Sequence, residues 1–209
     1  MELLTTGITF FQKGGIVMYV LLLCSLFVLS IGIERALYFR RMDSGRAFAR
    51  DFYLALANGK RQQAEKLADD ARGALADILF AVITKKPEAR KNPATYMEVQ
   101  SGIALAKLRK RLYYLSVIVT MAPLLGLLGT ISGMITSFSV FNLESGQPTA
   151  ITGGVGEALI ATAMGLCVAI VSLAVHAYFS QRIENIVTDM EQCFSMVETA
   201  DDESKEEAA

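Results

Sequence analysis

Three uncharged stretches constrain this chain more than any other feature. They cover residues 15–33, 112–143 and 158–181, and none of them contains Asp, Glu, Lys or Arg. A helix needs about 20 residues to cross a bilayer, so each stretch is long enough. Hydrophobic residues make up 53% of the chain and the mean hydropathy is +0.39. We therefore expect an all-α membrane protein with three transmembrane helices.

The first uncharged stretch is expected to be a retained helix and not a signal peptide. Its apolar core exceeds the usual length of a signal-peptide core, and the following IGIERALY has no small-x-small cleavage site.

Basic residues near the span ends predict the orientation, because loops rich in Lys and Arg stay in the cytoplasm. Arg35, Arg40 and Arg41 follow the first span, and residues 107–111 hold four basic side chains before the second. The loop 141–156 contains Glu144 and no basic residue. We expect an N-out, C-in protein with long helices that extend into the cytoplasm. The predicted divisions are an external segment 1–14, transmembrane helices 15–33, 112–140 and 157–179, a cytoplasmic helical segment 34–111, a periplasmic loop 141–156, and a cytoplasmic C-terminal helix with an acidic tail at 180–209.

Charge is strongly segregated between the two cytoplasmic parts. Segment 34–111 holds 17 basic and 9 acidic residues, whereas 180–209 holds 2 basic and 9 acidic residues. These parts can attract each other, although two solvated faces are the simpler interpretation.

The cytoplasmic segment shows clear helix boundaries. Ser44 is placed to cap a helix that runs to about Ala57 and stops at Asn58-Gly59. Further helices are expected near 62–71 and 74–84, and Asn92-Pro93 is typical of a helix start. From there one helix is predicted over 94–140, about 70 Å long at 1.5 Å per residue. After the third span, an apolar period predicts that the helix continues through Ile183, Ile186, Val187, Met190, Cys193, Phe194 and Val197.

Composition excludes several function classes. A net charge of −1 does not suit a nucleic-acid binder, which needs basic surface. The three cysteines do not form a disulfide framework or a zinc motif, and they are expected to be small apolar fillers. With one His and no HExxH, P-loop or Rossmann motif, we expect no enzyme activity, no metal site and no cofactor.

Spans 2 and 3 each carry a face of small residues. Such faces allow the close helix approach by which helices associate in lipid. Packing between the two spans would by itself account for these residues. They are Ala122, Gly126, Gly129 and Gly133 in span 2, and Ala158, Gly165 and Ala169 in span 3.

Thr130 and Thr162 lie well inside these spans, next to the small-residue faces. A helical threonine often bonds a carbonyl of its own helix, and that alternative stays open. A hydroxyl can also coordinate or relay an ion, but it cannot carry a proton charge at neutral pH. Proton pathways normally use an ionisable intramembrane residue, so if this chain moves ions, a partner would have to supply the acid.

Four further polar or special positions remain candidates. Pro123 would kink span 2 and free a carbonyl for bending or for lining a cavity. Glu157 suits either ion entry or the electrostatics of a helix N-terminus. His176 is more often a packed or snorkelling side chain than a relay, and Ser172 lies on the same stripe.

Two motifs resemble the signatures of the MotA/TolQ/ExbB proton-channel family. They are Ala122-Pro123-Leu-Leu-Gly126-Leu-Leu-Gly129-Thr130-Ile-Ser-Gly133 and Glu157-Ala158-Leu-Ile-Ala161-Thr162-Ala-Met-Gly165-Leu. Three spans with a large first cytoplasmic loop match the ExbB/TolQ branch better than the four-span MotA branch.

The resemblance implies a homopentameric ring in the bacterial inner membrane. Spans 2 and 3 would line a pore that holds the single-span helices of an ExbD- or TolR-like dimer, whose Asp is the titratable group. Thr130 and Thr162 match the pore threonines, and Glu157 matches the glutamate at the start of the last span. Proton flow would then drive a TonB- or TolA-like protein. Where the family has Pro and later Tyr-Asn, this chain has Val171 and His176-Ala177.

Two other functions stay open. One is a non-conducting membrane scaffold or adaptor, and the other is a flagellar-type or sodium-driven stator subunit. Residues alone do not separate TonB-type from Tol-type systems, or protons from sodium.

Overall fold

The computed structural model describes residues 15–87, 89, 91–143 and 148–206, without the side chains of 140–143, 148–154, 157 and 202–206. Within these ranges all regular secondary structure is helical, which confirms the all-α part of the predicted fold class. The helices are α1 (Gly15–Met42), α2 (Arg46–Ala57), α3 (Arg61–Asp70), α4 (Ala74–Ile83), α5 (Pro93–Arg109), α6 (Leu112–Leu143) and α7 (Pro148–Glu206).

Three helical stretches are long and apolar enough to cross a membrane. They lie within Gly15–Ala57, Pro93–Ser139 and Ala158–Asp201, in agreement with the three predicted spans. Large apolar side chains remain exposed along them, including Leu23, Leu124 and Ile170 at 64–66%. An apolar surface of this extent suits contact with lipid or with other subunits.

The chain forms two compact units. The apolar unit contains the described residues of 1–33 and 111–178, and the charged unit contains those of 34–110 and 179–209. The apolar unit is made of the first part of α1, all of α6 and the first part of α7.

The charged unit has a conventional hydrophobic core. Phe52, Leu79, Met97 and Leu108 are fully buried in it. Helix α4 is apolar nearly all round and correspondingly buried, with only Asp77 exposed. The predicted apolar period along α7 is also confirmed, since Ile183, Ile186, Met190, Cys193 and Val197 are all buried.

Helix boundaries in the charged unit follow the sequence with one correction. Asn92 Oδ1 accepts from Thr95 N at 3.2 Å, and Gly59 ends α2 with φ +68°, both as expected. Ser44, however, does not cap α2, whose N-cap is Gly45. Its Oγ accepts instead from Ala76 N at 3.1 Å, in the first turn of α4. Ser44 therefore satisfies a helix start far away in sequence.

The prediction of one helix over 94–140 is wrong. Helix α5 ends at Arg109 and α6 begins at Leu112, with Arg111 at φ +75° between them. The carbonyls freed by this break are satisfied by Arg35, a buried side chain that is 3% exposed. Arg35 Nη1 donates to Lys107 O at 3.0 Å and to Lys110 O at 2.9 Å. A cation at a helix C-terminus is also favoured by the helix dipole.

The predicted loop 141–156 is shorter in the structure. Helix α6 reaches Leu143 and α7 begins at Pro148, so 148–156 is helical. Proline fits this first position because its missing N–H would have no partner there. Glu144 and the segment 1–14 lie outside the described residues.

Candidate functional site

The small-residue faces of α6 and α7 meet in the apolar unit. A methyl group placed on Gly133 would lie 2.9 Å from Ala158 Cβ, and one on Gly129 would lie 2.6 Å from Ala161 Cβ. Farther along, Gly126 faces Thr162. In these contacting pairs the residue numbers in α6 fall as those in α7 rise, so the two helices run antiparallel.

At Gly126 and Gly165 the two backbones themselves are in contact. A Cβ on Gly126 would lie 2.9 Å from Thr162 Cα, and one on Gly165 would lie 2.5 Å from Ala122 O and 3.0 Å from Gly126 Cα. These neighbours are backbone atoms and cannot rotate away. Glycine at both positions is therefore a steric requirement of this helix pair.

Thr162 joins the two helices at this point of closest approach. Its Oγ1 donates to Gly126 O on α6 at 3.0 Å. The alternative that it bonds a carbonyl of its own helix is therefore wrong. A carbonyl oxygen has a second lone pair, so Gly126 O can accept this bond alongside its helical one.

Thr130 behaves differently. Its Oγ1 donates to Leu127 O of its own helix at 2.7 Å, the local pattern that the sequence left open. Its side chain is partly exposed, one turn along α6 from Gly126.

Ser172 provides a second polar link between the helices. Its side chain is fully buried, and its Oγ donates to Leu115 O at 3.0 Å. Ala122, Ala158 and Ala169 are also buried, at 1–8% exposure.

Pro123 lies inside the continuous helix α6 and is half-buried. Because proline has no N–H, the Val119 carbonyl one turn earlier lacks its usual helical donor. His176 is half-buried. Glu157 lies nine residues into α7, which begins at Pro148, so its expected place at a helix N-terminus is wrong. Its side chain lies outside the described residues.

Helix α1 supports the pair from a third side. A methyl group on Gly129 would lie 3.5 Å from Val17 Cγ1, and one on Gly32 would lie 3.5 Å from Val175 Cγ1. Among the described residues, no group of three or more His, Cys, Asp or Glu side chains is placed to hold a metal.

The packing roles of three groups were not predicted. Ala161 is fully buried against Gly129 and follows Ala158 by one turn, so its helical spacing is a signal that could have revealed it. The Leu115 carbonyl and the buried Arg35 carried no comparable signal, since their partners are distant in sequence.

Electrostatics in the charged unit centre on α7. Arg182 pairs with Asp43 at 3.0 Å, and Arg46 Nη2 donates to Asn185 Oδ1 at 2.6 Å. Burial raises the pKa of Asp189 above its ordinary value, Arg46 opposes that rise and Asp43 adds to it. Burial, with a smaller effect of Asp189, raises the pKa of the Cys193 thiol to about 12. Cys193 therefore stays protonated, in keeping with its expected role as a buried filler.

The chain is similar in sequence to channel and transport proteins. A model of the MotA/TolQ/ExbB proton channel family matches residues 70–192. The putative biopolymer transport protein ExbB-like 1 of Synechocystis sp. is 34% identical over 79% of this chain and 67% of its own length. A putative ExbB homolog of Methanothermobacter thermautotrophicus is 23% identical over 89% of this chain and 67% of its own length. The Tol-Pal system protein TolQ of Pseudomonas aeruginosa is 34% identical over 39% of this chain and 36% of its own length.

Proposed function

Because the chain belongs to the MotA/TolQ/ExbB proton channel family, we propose that it is the ring-forming subunit of an inner-membrane motor driven by the proton motive force. Five copies surround a dimer of a single-span ExbD- or TolR-like partner. The N-terminus is outside and the C-terminus inside, with the charged unit in the cytoplasm. The motor energises a TonB- or TolA-like protein, and the role is transport and not enzymatic catalysis.

One observation carries the proposal: the Thr162 hydroxyl bonds the Gly126 carbonyl inside a helix pair that has no charged residue in 112–143 or in 158–181. A hydroxyl and a carbonyl at one level of the pair are groups that can solvate an ion. Neither can bind and release a proton near neutral pH, so the titratable group comes from the partner's Asp.

Thr130 and Thr162 supply a polar collar around that partner Asp. In this role Thr130 exchanges its local bond to Leu127 O, and Thr162 its bond to Gly126 O, for bonds to the ionised carboxylate or to hydrating water. Each exchange replaces one hydrogen bond by another, so its net cost is small. Pro123 and the carbonyl that it frees lie in the same part of α6, and Glu157 contributes at the outer end of the third span.

The hydroxyl of Thr162 is tested by Thr162→Val, which keeps the shape of the side chain and removes its hydrogen-bonding group. We expect the complex to assemble with its partner and to lose proton uptake, measured with a pH-sensitive dye in proteoliposomes under an imposed potential. Thr162→Ser should retain uptake, because the hydroxyl is preserved.

Thr136→Val is the matched control. Thr136 lies in the same span as Thr130, is exposed, and donates to Ser132 O of its own helix at 3.0 Å. Loss of the Thr136 hydroxyl should leave proton uptake intact. Full uptake by an assembled Thr162→Val complex would contradict the collar. An assembled complex of the unaltered chain that takes up no protons would favour the scaffold alternative. Uptake of sodium ions in place of protons by the complex of the unaltered chain would favour the sodium-driven alternative.

A further inference from the structure

The charged unit contains an apolar groove between α5 and the distal part of α7. The groove has a volume of about 400 Å³, and Met97, Leu105, Val187, Met190 and Phe194 are among its lining residues. Met97 and Met190 form a closed floor, being 1% and 2% exposed. The unit therefore offers a preformed apolar surface that nothing else in the described chain fills.

Glutamates surround this apolar floor. Glu98, Glu191 and Glu198 line the same groove and are exposed. Glu191 and Glu198 are two helical turns apart, about 10 Å along the axis, which is too far to share one ion. This arrangement suits a segment with several cations better than a single bound metal.

The chain itself carries a segment of matching chemistry. The basic turn, residues 85–91, has the sequence Lys85-Lys86-Pro87-Glu88-Ala89-Arg90-Lys91. Lys85, Lys86 and Lys91 are exposed. A lysine stem can cover apolar surface while its ammonium reaches a carboxylate at the edge. Within its own chain, the Lys86 ammonium lies over an aromatic ring, with Nζ 4.9 Å from the centre of the Phe80 ring.

Ring symmetry brings the basic turn of one copy to the level of the groove in the next. Lys91 is three residues from Ala94, which lines the groove, so the two are at most about 11 Å apart. Rotation about a ring axis preserves position along that axis, whatever its direction. Lys91 of the neighbour therefore lies within that distance, along the axis, of the Ala94 end of the groove.

We propose that the groove binds the basic turn of an adjacent copy, forming a subunit contact outside the membrane spans. This inference rests on the ring in the proposed function. Lysine stems lie over the methionine and phenylalanine floor, and the ammonium groups pair with the glutamates. The contact joins unlike surfaces, as a closed ring with more than two copies requires.

Disulfide trapping between two differently tagged copies tests the contact. One copy carries Glu191→Cys and the other Lys91→Cys, both in a background with Cys24, Cys167 and Cys193 replaced by alanine. They are co-expressed with the partner protein and oxidised in the membrane. We expect a disulfide-linked band that bears both tags. Glu65→Cys, at an exposed position of α3 outside the groove, replaces Glu191→Cys as the control and should give no such band.

The native mass of each complex is measured in parallel. This measurement distinguishes a failure of the proposed contact from a failure of the proposed ring. A ring of normal mass without the doubly tagged band overturns the contact and leaves the proposed function standing. A disulfide from Glu191→Cys to a different protein overturns the assignment of a second copy as the occupant. If the cysteine-free background gives a monomer and the chain with native cysteines gives a ring, the contact is tested by charge exchange in the chain with native cysteines. Glu191→Lys should weaken the ring, and adding Lys91→Glu should restore it. A ring that is not restored overturns the contact.

Discussion

Helix α7 packs through small side chains in one unit and through large ones in the other. Between 158 and 172 its buried positions include Ala158, Ala161 and Ser172, whereas between 183 and 197 they include Ile183 and Met190. In water, burying large apolar groups drives association. Lipid supplies no such drive, so close backbone contact and hydroxyl-to-carbonyl bonds take its place. The size of the side chains that α7 buries therefore changes along the helix with the solvent around each unit.

Polar groups are also satisfied differently in the two units. The apolar unit uses hydroxyls, as in the Thr162 and Ser172 bonds to carbonyls of α6. The charged unit uses charges and caps, as in the Arg35 bonds to the end of α5. A buried hydroxyl needs one acceptor for its proton, whereas a buried guanidinium needs several acceptors and a counter-charge. Glu34 provides that charge, 2.6 Å from Arg35 Nη2.

The largest expected effect is a cavity in the charged core. Leu79→Ala removes a fully buried side chain and should lower the free energy of unfolding by about 2–5 kcal/mol. Thermal melting of the detergent-solubilised complex by circular dichroism measures the loss. Leu54→Ala, on a side chain 48% exposed in the same unit, should cost less than about 0.5 kcal/mol. Equal effects would mean that this core does not hold the unit.

Next comes the buried cation at the break between α5 and α6. Arg35→Met keeps much of the side-chain volume but leaves the carbonyls of Lys107 and Lys110 without their donor. We expect a loss of about 3 kcal/mol in the same melting experiment. Arg50→Met, at a side chain 73% exposed in a surface pair, is the control and should have little effect. A melting temperature unchanged by Arg35→Met would show that the break needs no buried donor.

Backbone contact in the apolar unit is tested by a single methyl group. Gly165→Ala would place Cβ 2.5 Å from Ala122 O and should cost about 1–3 kcal/mol through separation of α6 from α7. Gly156→Ala lies on the same helix with nothing within 4 Å and serves as the control. If both variants melt alike, the close approach at Gly165 is not required for stability.

The smallest effect concerns the half-buried carboxyl of Asp189. Burial raises the pKa of Asp189, so the carboxyl binds its proton more tightly in the folded protein than in the unfolded chain. The resulting contribution to the free energy of unfolding is complete below the unfolded pKa and is lost as the pH rises through the folded pKa. Asp189→Asn should therefore raise the melting temperature slightly at pH 7. The gain should shrink as the pH falls toward the ordinary carboxyl value of 3.8. A gain that is constant with pH would contradict this origin.

Local patterns predicted much of the fold. The three spans, the Asn92 cap and the apolar period of α7 each depend on residues close together in the sequence. The break at Arg111 was missed because arginine carries no local preference for φ +75°, and its stabilising donor, Arg35, lies on another helix. Ser44 was assigned to the wrong helix for the same reason.

The site was accessible from sequence only in part. Small residues at helical spacing gave the two faces, but the acceptor of each hydroxyl depends on which helices meet and at what height. Thr130 and Thr162 lie in similar surroundings in the sequence, yet one bonds its own helix and the other bonds its neighbour. That difference is a property of the packed pair.

The most direct test of the motor assignment is the native mass and subunit ratio of the complex co-expressed with an ExbD- or TolR-like partner. We predict five copies of this chain, each of 22.7 kDa, with two copies of the partner. A monomer, a dimer or an equimolar complex would contradict the ring and would favour a membrane scaffold.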